Sequence, residues 1–462
     1  MLFYENIQAA LGVEVEIGQK MADAILLWNK MYEDEAPWAS VKDGIRSCGI
    51  PAAICTSMAI AVTMEAVVSV TGSPRADFID GELGLLKADL ENLVEYACAG
   101  GGIVLKPYIY GHGIAIDYVH SDSFLPVAFN SSKKITAAVF PEYKQIGKWL
   151  YTRLEYQEYN ESSHTYVIMN KAFKSRKVAV KVNDVINLGT EVSLTEVPEW
   201  AEMEPMVVLK NASCPLFAYF RIPVANNIDR YSPLGVSVFS RAVNYIRDTD
   251  EQYGGILWEY KAKEAAVQAG AEFFEKDRNG KTILPKGKER LYRDMGDVQN
   301  RDGEPFFNVY SPEIRDESFF NGYNRMLQRV EFASNLAYGT ISDPQVVDKT
   351  AEEIKAGKQR TYATVRAIQN SLRRALEDLV MAMDAWTTMA GLAPEGPCEL
   401  TADFDDSVIV DKDKERATDR EDVAMGAMQL WEYRKKYRGE TEKQAKAMVA
   451  NAVMDTNKDV IN

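Results

Sequence analysis

One uninterrupted helical stretch, residues 349–391, limits more than any other feature what this chain can fold into. Thr350 stands three residues before Glu353, so hydroxyl and carboxylate can each take an orphan amide, and the pair predicts a capping-box start near Thr350. Apolar residues recur at Val365, Ile368, Leu372, Leu376, Leu379, Met383 and Trp386, in steps that hold one stripe on one face. That face is expected to be buried. The run is roughly 60 Å long at the helical rise, more than a small domain needs to cross its own core. It reads either as a long core helix or as an element that bridges something larger than one domain. Gly357, after Ala356, is its weakest point, since glycine costs about 1 kcal/mol against alanine in a helix interior, and a bend is expected there.

The rest of the composition supports a sizeable core. The chain has 462 residues, 46% of them hydrophobic, which suggests two to four domains of a globular protein. It carries 53 basic against 68 acidic residues, a net charge of -15, which argues against stable grip on phosphates, since that comes from concentrated Lys and Arg. The five cysteines, Cys48, Cys55, Cys98, Cys214 and Cys398, are scattered with no Cys-x-x-Cys pair, so neither a disulfide framework nor a zinc site is indicated and a reducing compartment fits. The apolar run 50–70 contains Glu65 and follows no basic region, so it reads as a buried helix leading into a strand at 66–70, not a membrane span.

Taken in order, residues 19–35 form an amphipathic docking helix through Met21, Ile25, Trp28 and Tyr32, ended by Pro37. Residues 77–98 read as one helix stopped by Gly100, Gly101 and Gly102. A phosphate cradle would open a helix, whereas these glycines close one, so a C-cap followed by a hairpin through Gly111-His112-Gly113 is expected. From 134 to about 197 the period switches to two and predicts an antiparallel meander, with a turn at 160–163 and His164 opening the next strand. With only His112 and His120 besides, histidine-based metal or triad chemistry is not expected. Residues 235–269 are helical by composition, broken at Gly254-Gly255. Asn279-Gly280 marks a hairpin between 272–274 and 282–284, inside a strand-and-turn module 271–311. Gly280-Lys281-Thr282 lacks the upstream glycine of a phosphate loop, position 275 being Glu. Helix resumes over 313–338, with Phe320, Tyr323, Leu327, Val330 and Leu336, and Asp343-Pro344 keeps 339–349 a loop. An acidic strand at 399–410 follows, where Val408 stands in place of the glycine a calcium loop would need. Two closing helices are expected, capped by Thr418 with Glu421 and Thr441 with Gln444. The first ends in the basic turn Arg434-Lys435-Lys436-Tyr437-Arg438.

By pattern alone this is an α+β chain: helix, inserted hairpin module, helix, short loop and very long helix, flanked by mixed material with no catalytic constellation. Its order and several strings resemble the portal proteins of tailed bacteriophages of the long-tailed branch. The strings are residues 101–126 (GGIVLKPYIYGHGIAIDYVHSDSFLP), 223–243 (PVANNIDRYSPLGVSVFSRAV), Ser311-Pro312-Glu313-Ile314-Arg315, and Lys349-Thr350-Ala351-Glu352-Glu353-Ile354. The last usually reads Thr-Ala-Thr-Glu in such proteins, and Glu352 is a departure that leaves the cap pair intact.

The resemblance implies a portal fold: a wing of helices plus antiparallel sheet at 1–231, continued by the long kinked helix 350–391 and a strand at 392–415. It further implies a two-helix stem at 232–269 and 313–338, a small α/β clip at 270–312, a tunnel loop at 339–349 and a helical crown at 416–462. The tunnel loop comprises Gly339, Thr340, Ile341, Ser342, Asp343, Pro344, Gln345, Val346, Val347, Asp348 and Lys349, with Gly357 as a hinge below it. Partner contacts on the clip fall to Phe273, Phe274, Arg278, Asn279, Gly280, Phe306, Phe307 and Tyr310. Portals form rings, usually of twelve subunits, at one capsid vertex, so the implied partners are further copies of the chain, a terminase motor, head-completion or adaptor proteins, major capsid and scaffold proteins, and double-stranded DNA in transit. No cofactor, metal, membrane or enzymatic activity is implied, and the setting is the virion, after synthesis in the host bacterial cytoplasm. Two readings stand against this one: another phage head component such as a minor capsid protein, and a nucleotide-dependent enzyme using the 100–102 glycines and Lys281.

Overall fold

The computed structural model describes residues 4–40, 42–176, 188–263, 266–277, 282–284, 291–296, 298, 303, 306–311, 313, 315–343, 351–404, 412–438, 442 and 444–449. The protein is mixed α+β with antiparallel sheets, in two compact units, Met1–Ala402 and Asp403–Asn462. No helix among the described residues is long and apolar enough to cross a membrane.

The core of the first unit is built around a three-stranded antiparallel sheet in the order Ala218–Arg221, Gly102–Tyr110, Gly113–His120. Ile103, Val104 and Leu105 are wholly buried there. Helix Leu90–Gly100 feeds the central strand through Gly101, whose φ of 88° is the left-handed C-cap that glycine permits. A side chain at Gly101 would also meet the Gly235 carbonyl at 2.6 Å, so the triple glycine is a cap and a close approach. The long helix, Ala351–Ala390, lies against this sheet with Val365, Ile368, Leu372, Leu376, Leu379 and Met383 buried, as the stripe predicts, while Trp386 is half-buried. It is pinned near its end by buried Arg75, whose guanidinium donates to Asp384 at 2.8 Å, to Thr388 and to the carbonyls of Ala393 and Pro394. The helix runs through Gly357 without interruption.

The meander forms a six-stranded antiparallel sheet: Leu125–Phe129, Ile135–Ile146, Trp149–Asn160, Thr165–Arg176 and Thr190–Val192 in order, with Met206–Lys210 also paired to Thr165–Arg176. Tyr151, Ala172, Leu194, Val197 and Trp200 close a satellite core on it. Burial alone would raise the Glu155 carboxyl, but Lys106 at 3.1 Å and Arg153 at 2.9 Å hold it below the ordinary carboxylate range.

Several expected boundaries move. His164 does not open a strand: it sits in the preceding turn at φ 50°, and the strand starts at Thr165. Residues 77–98 are three helices, Pro74–Glu82, Gly84–Ala88 and Leu90–Gly100, because Ser73 with Pro74 starts the first one earlier and glycines at 81 and 84 weaken its continuation. The 235–269 helix is shorter, Val243–Ala262, and Ala266–Ala269 is a strand; it is not broken at Gly254-Gly255. The 313–338 helix is Asp316–Ala333. The Thr350 cap and the acidic strand beyond Phe404 fall outside the described residues.

In the second unit the expected first helix is two, Lys412–Met425 and Leu430–Arg438, so Thr418 lies inside a helix and does not cap one. Gly426, at φ 79°, ends the first, with Ala427 and Met428 N–H groups both on the Asp422 carbonyl. The basic turn does close the second helix. Asp419 accepts from Lys436 at 2.6 Å and from the Tyr437 hydroxyl at 2.8 Å, which clips the two helices together. Thr441 is outside the described residues.

Candidate functional site

Helices Val243–Ala262 and Asp316–Ala333 run antiparallel, because Tyr253 meets Tyr323 with ring centroids 5.9 Å apart while Glu259, further along the first helix, meets Arg315, earlier on the second. Glu259 is buried among cations: Lys263 at 2.7 Å, foremost, and Arg315 at 3.2 Å hold its carboxyl below the usual range. Nearer the body, buried Asp250 accepts from the Trp38 indole and the Cys48 N–H, each at 2.9 Å. Burial raises the Asp250 carboxyl, and the same surroundings push the Cys48 thiol up to about 12. An added Cβ on Gly254 would lie 2.6 Å from the Gly44 carbonyl, so a glycine read as a helix break instead lets the 44–45 backbone seat on the helix.

Away from those anchors the pair covers little of itself. The first helix buries only Ile246 and Ile256 among its large apolar side chains, and the second only Val330. Trp258 is 66% exposed and Phe332 51%, with Phe320, Tyr245 and Tyr260 also exposed. Buried aliphatic stripes are what normally hold such helices to a body, so these aromatic side chains are left uncovered in a single chain.

The turn that follows the second helix is fixed from within. Glu331, fully buried, accepts the N–H groups of Gly339, Ile341 and Ser342 and the Ser342 hydroxyl, at 2.8 to 3.3 Å. Gly339 takes φ 88°, Thr340 is exposed and donates to the Ala337 carbonyl, and exposed Asp343 donates its N–H to Asn324. Pro344, Gln345, Val346, Val347, Asp348 and Lys349 fall outside the described residues. Glu331 was not legible as an anchor, because its partners are backbone amides, which have no signature in sequence.

At the opposite end the module contains a three-stranded sheet in the order Tyr292–Asp294, Ala266–Ala269, Phe307–Tyr310, parallel on one side and antiparallel on the other. The expected hairpin is present as Glu275–Lys276 on Thr282–Ile283, with 271–273 a 3-10 turn in place of its first strand. The described part of the module consists of strands and a 3-10 turn. Phe273 and Phe307, each 54% exposed, meet with centroids 5.6 Å apart, and Phe274 meets Tyr292 edge-on at 6.2 Å. Arg293 sits over the Tyr310 ring at 5.6 Å, while Phe306 is half-buried and ties its N–H and carbonyl to Val298 and Gly270. Arg278, Asn279 and Gly280 fall outside the described residues. The structure thus gathers Phe273 with Phe307 and adds Tyr292, which sequence reasoning missed because one aromatic in a polar stretch has no period.

No protein-family model matches this chain, and no curated protein matches it.

Proposed function

We propose that the chain is a phage portal subunit. Copies assemble into a ring at one capsid vertex of the virion, and the genome is packaged and ejected through its central channel. The observation that carries this reading is the antiparallel pair Val243–Ala262 and Asp316–Ala333, which leaves Trp258, Phe320 and Phe332 exposed and ends in a small strand module. Isologous or ring contacts between identical subunits cover such faces. On this reading 1–231 with the long helix is the wing, the pair is the stem, and the strand module is the clip. The clip offers Phe273 and Phe307 to a terminase motor or a head-completion protein. The Glu331-tied turn is the fixed base of the tunnel loop. Its Asp343 carboxylate repels DNA phosphate, so a duplex passes without sticking. The role is assembly and passage, with no catalytic step. A packaging assay with matched procapsid numbers tests it: replacing Asp343 and Asp348 by Lys should slow or stall packaging with rings intact, and wild-type yields would remove the loop from the channel.

A further inference from the structure

Between the long helix and the Ala218–Arg221 strand edge lies a cavity of about 590 Å³, a size typical of small-molecule sites. Lys133, Lys134, Arg221 and Arg374 line it against a single carboxylate, Asp378, which is already committed to Lys134 at 2.7 Å. No carboxylate among the described residues pairs with Lys133, Arg221 or Arg374, and the Arg221 Nε is buried without a hydrogen-bond partner. Three uncompensated cations thus face one hollow in a chain whose net charge is -15. Lys133 and Arg374 are exposed and hydrated, but the buried, unpartnered Arg221 Nε is a donor that an anion beside them would satisfy. Of the remaining wall Ile135 and Phe217 are buried, Pro223 is exposed, and Ser132, Asn370 and Ser371 add polar groups beside the cations.

We infer that this cavity binds a phosphorylated small molecule of mononucleotide size, its phosphates at Lys133, Arg221 and Arg374 and the rest of the molecule along Pro223 and the polar groups of Asn370 and Ser371. Guanidinium forks match the paired oxygens of phosphate, and two of them with a lysine suit two or more negative charges. The site is independent of the stem pair and of whether copies assemble.

The test is calorimetric titration of the full-length protein with inorganic pyrophosphate, with ADP in the presence of a chelator, and with citrate as a carboxylate of comparable charge. Both phosphates should bind, ADP more tightly than pyrophosphate, and citrate at least about tenfold more weakly. Lys133→Gln with Arg374→Gln, both exposed side chains that the fold does not need, should weaken ADP by about tenfold or more while the melting temperature stays put. Three results would each overturn the inference: no binding of either phosphate, binding unchanged in the double variant, or citrate equal to ADP.

Discussion

The carboxylate of Glu331 accepts both the backbone N–H and the hydroxyl of Ser342, at 2.9 and 2.8 Å, from inside a helix residue with no solvent exposure. One side chain thereby sets the path of the chain as it leaves the helix Asp316–Ala333. With Thr361 donating to the Asn335 carbonyl at 3.2 Å, the same turn is held to the long helix.

Glu331→Gln replaces an acceptor by a donor in front of groups that are all donors. A buried unmet polar group costs about 1–3 kcal/mol, so thermal stability should fall by that order. Amide exchange at Gly339, Ile341 and Ser342 should accelerate more than exchange elsewhere. Uniform acceleration across the chain would show that Glu331 supports the whole fold rather than this turn.

Gly254 and Gly255 are neighbours in sequence with opposite demands. A Cβ at Gly254 would meet the Gly44 carbonyl at 2.6 Å, whereas at Gly255 nothing lies within 4 Å. Gly255→Ala should therefore stabilise by up to about 1 kcal/mol through helix propensity, and Gly254→Ala should destabilise despite the same gain. Denaturant midpoints of the two variants decide, and equal shifts would contradict the contact.

Acid sensitivity follows from Glu259. Its folded value is held low by Lys263 and Arg315, so its contribution is present above the unfolded value of about 4.3 and lost as pH falls through the lowered one. Asp250 runs the other way: burial raises it, so its contribution is present below about 3.9 and lost as pH rises through the raised value. Glu259→Gln should flatten the acid side of a stability-against-pH curve measured by denaturant unfolding. An unchanged acid slope would mean that the pair with Arg315 is not retained in solution.

The long helix was legible because its stripe answers to one physical rule: the face that repeats every three or four residues is the face that is buried. The C-cap at Gly101 and the alternating strands of the meander were legible for similar local reasons. Gly254 was misread, since a glycine that admits a neighbouring backbone looks in sequence like one that breaks a helix. Thr418 was misread because a Thr three residues before a Glu also occurs in mid-helix. The uncovered side chains were hidden differently: Phe320, Tyr323, Leu327 and Val330 have helical spacing, yet only Val330 is buried, and periodicity does not say whether the covering surface belongs to the same chain. The cavity beside Arg221 draws on residues 132–135, 217–223 and 367–378, which no local pattern connects.

On the portal reading, Trp258 and Phe332 separate assembly from folding. Both are exposed and neither fills the core, so Trp258→Glu with Phe332→Glu should leave far-ultraviolet dichroism unchanged. Charge placed in a covered apolar contact should instead dissociate the assembly. Loss of the fold itself would show that these side chains serve the single chain.

The most direct test of the portal reading is the mass of the purified protein by light scattering, across a range of concentration and at low and high salt. The account predicts a closed multiple of the 51.8 kDa chain that persists on dilution, seen as rings with a central channel in negative stain. A particle of 51.8 kDa under every condition would contradict it.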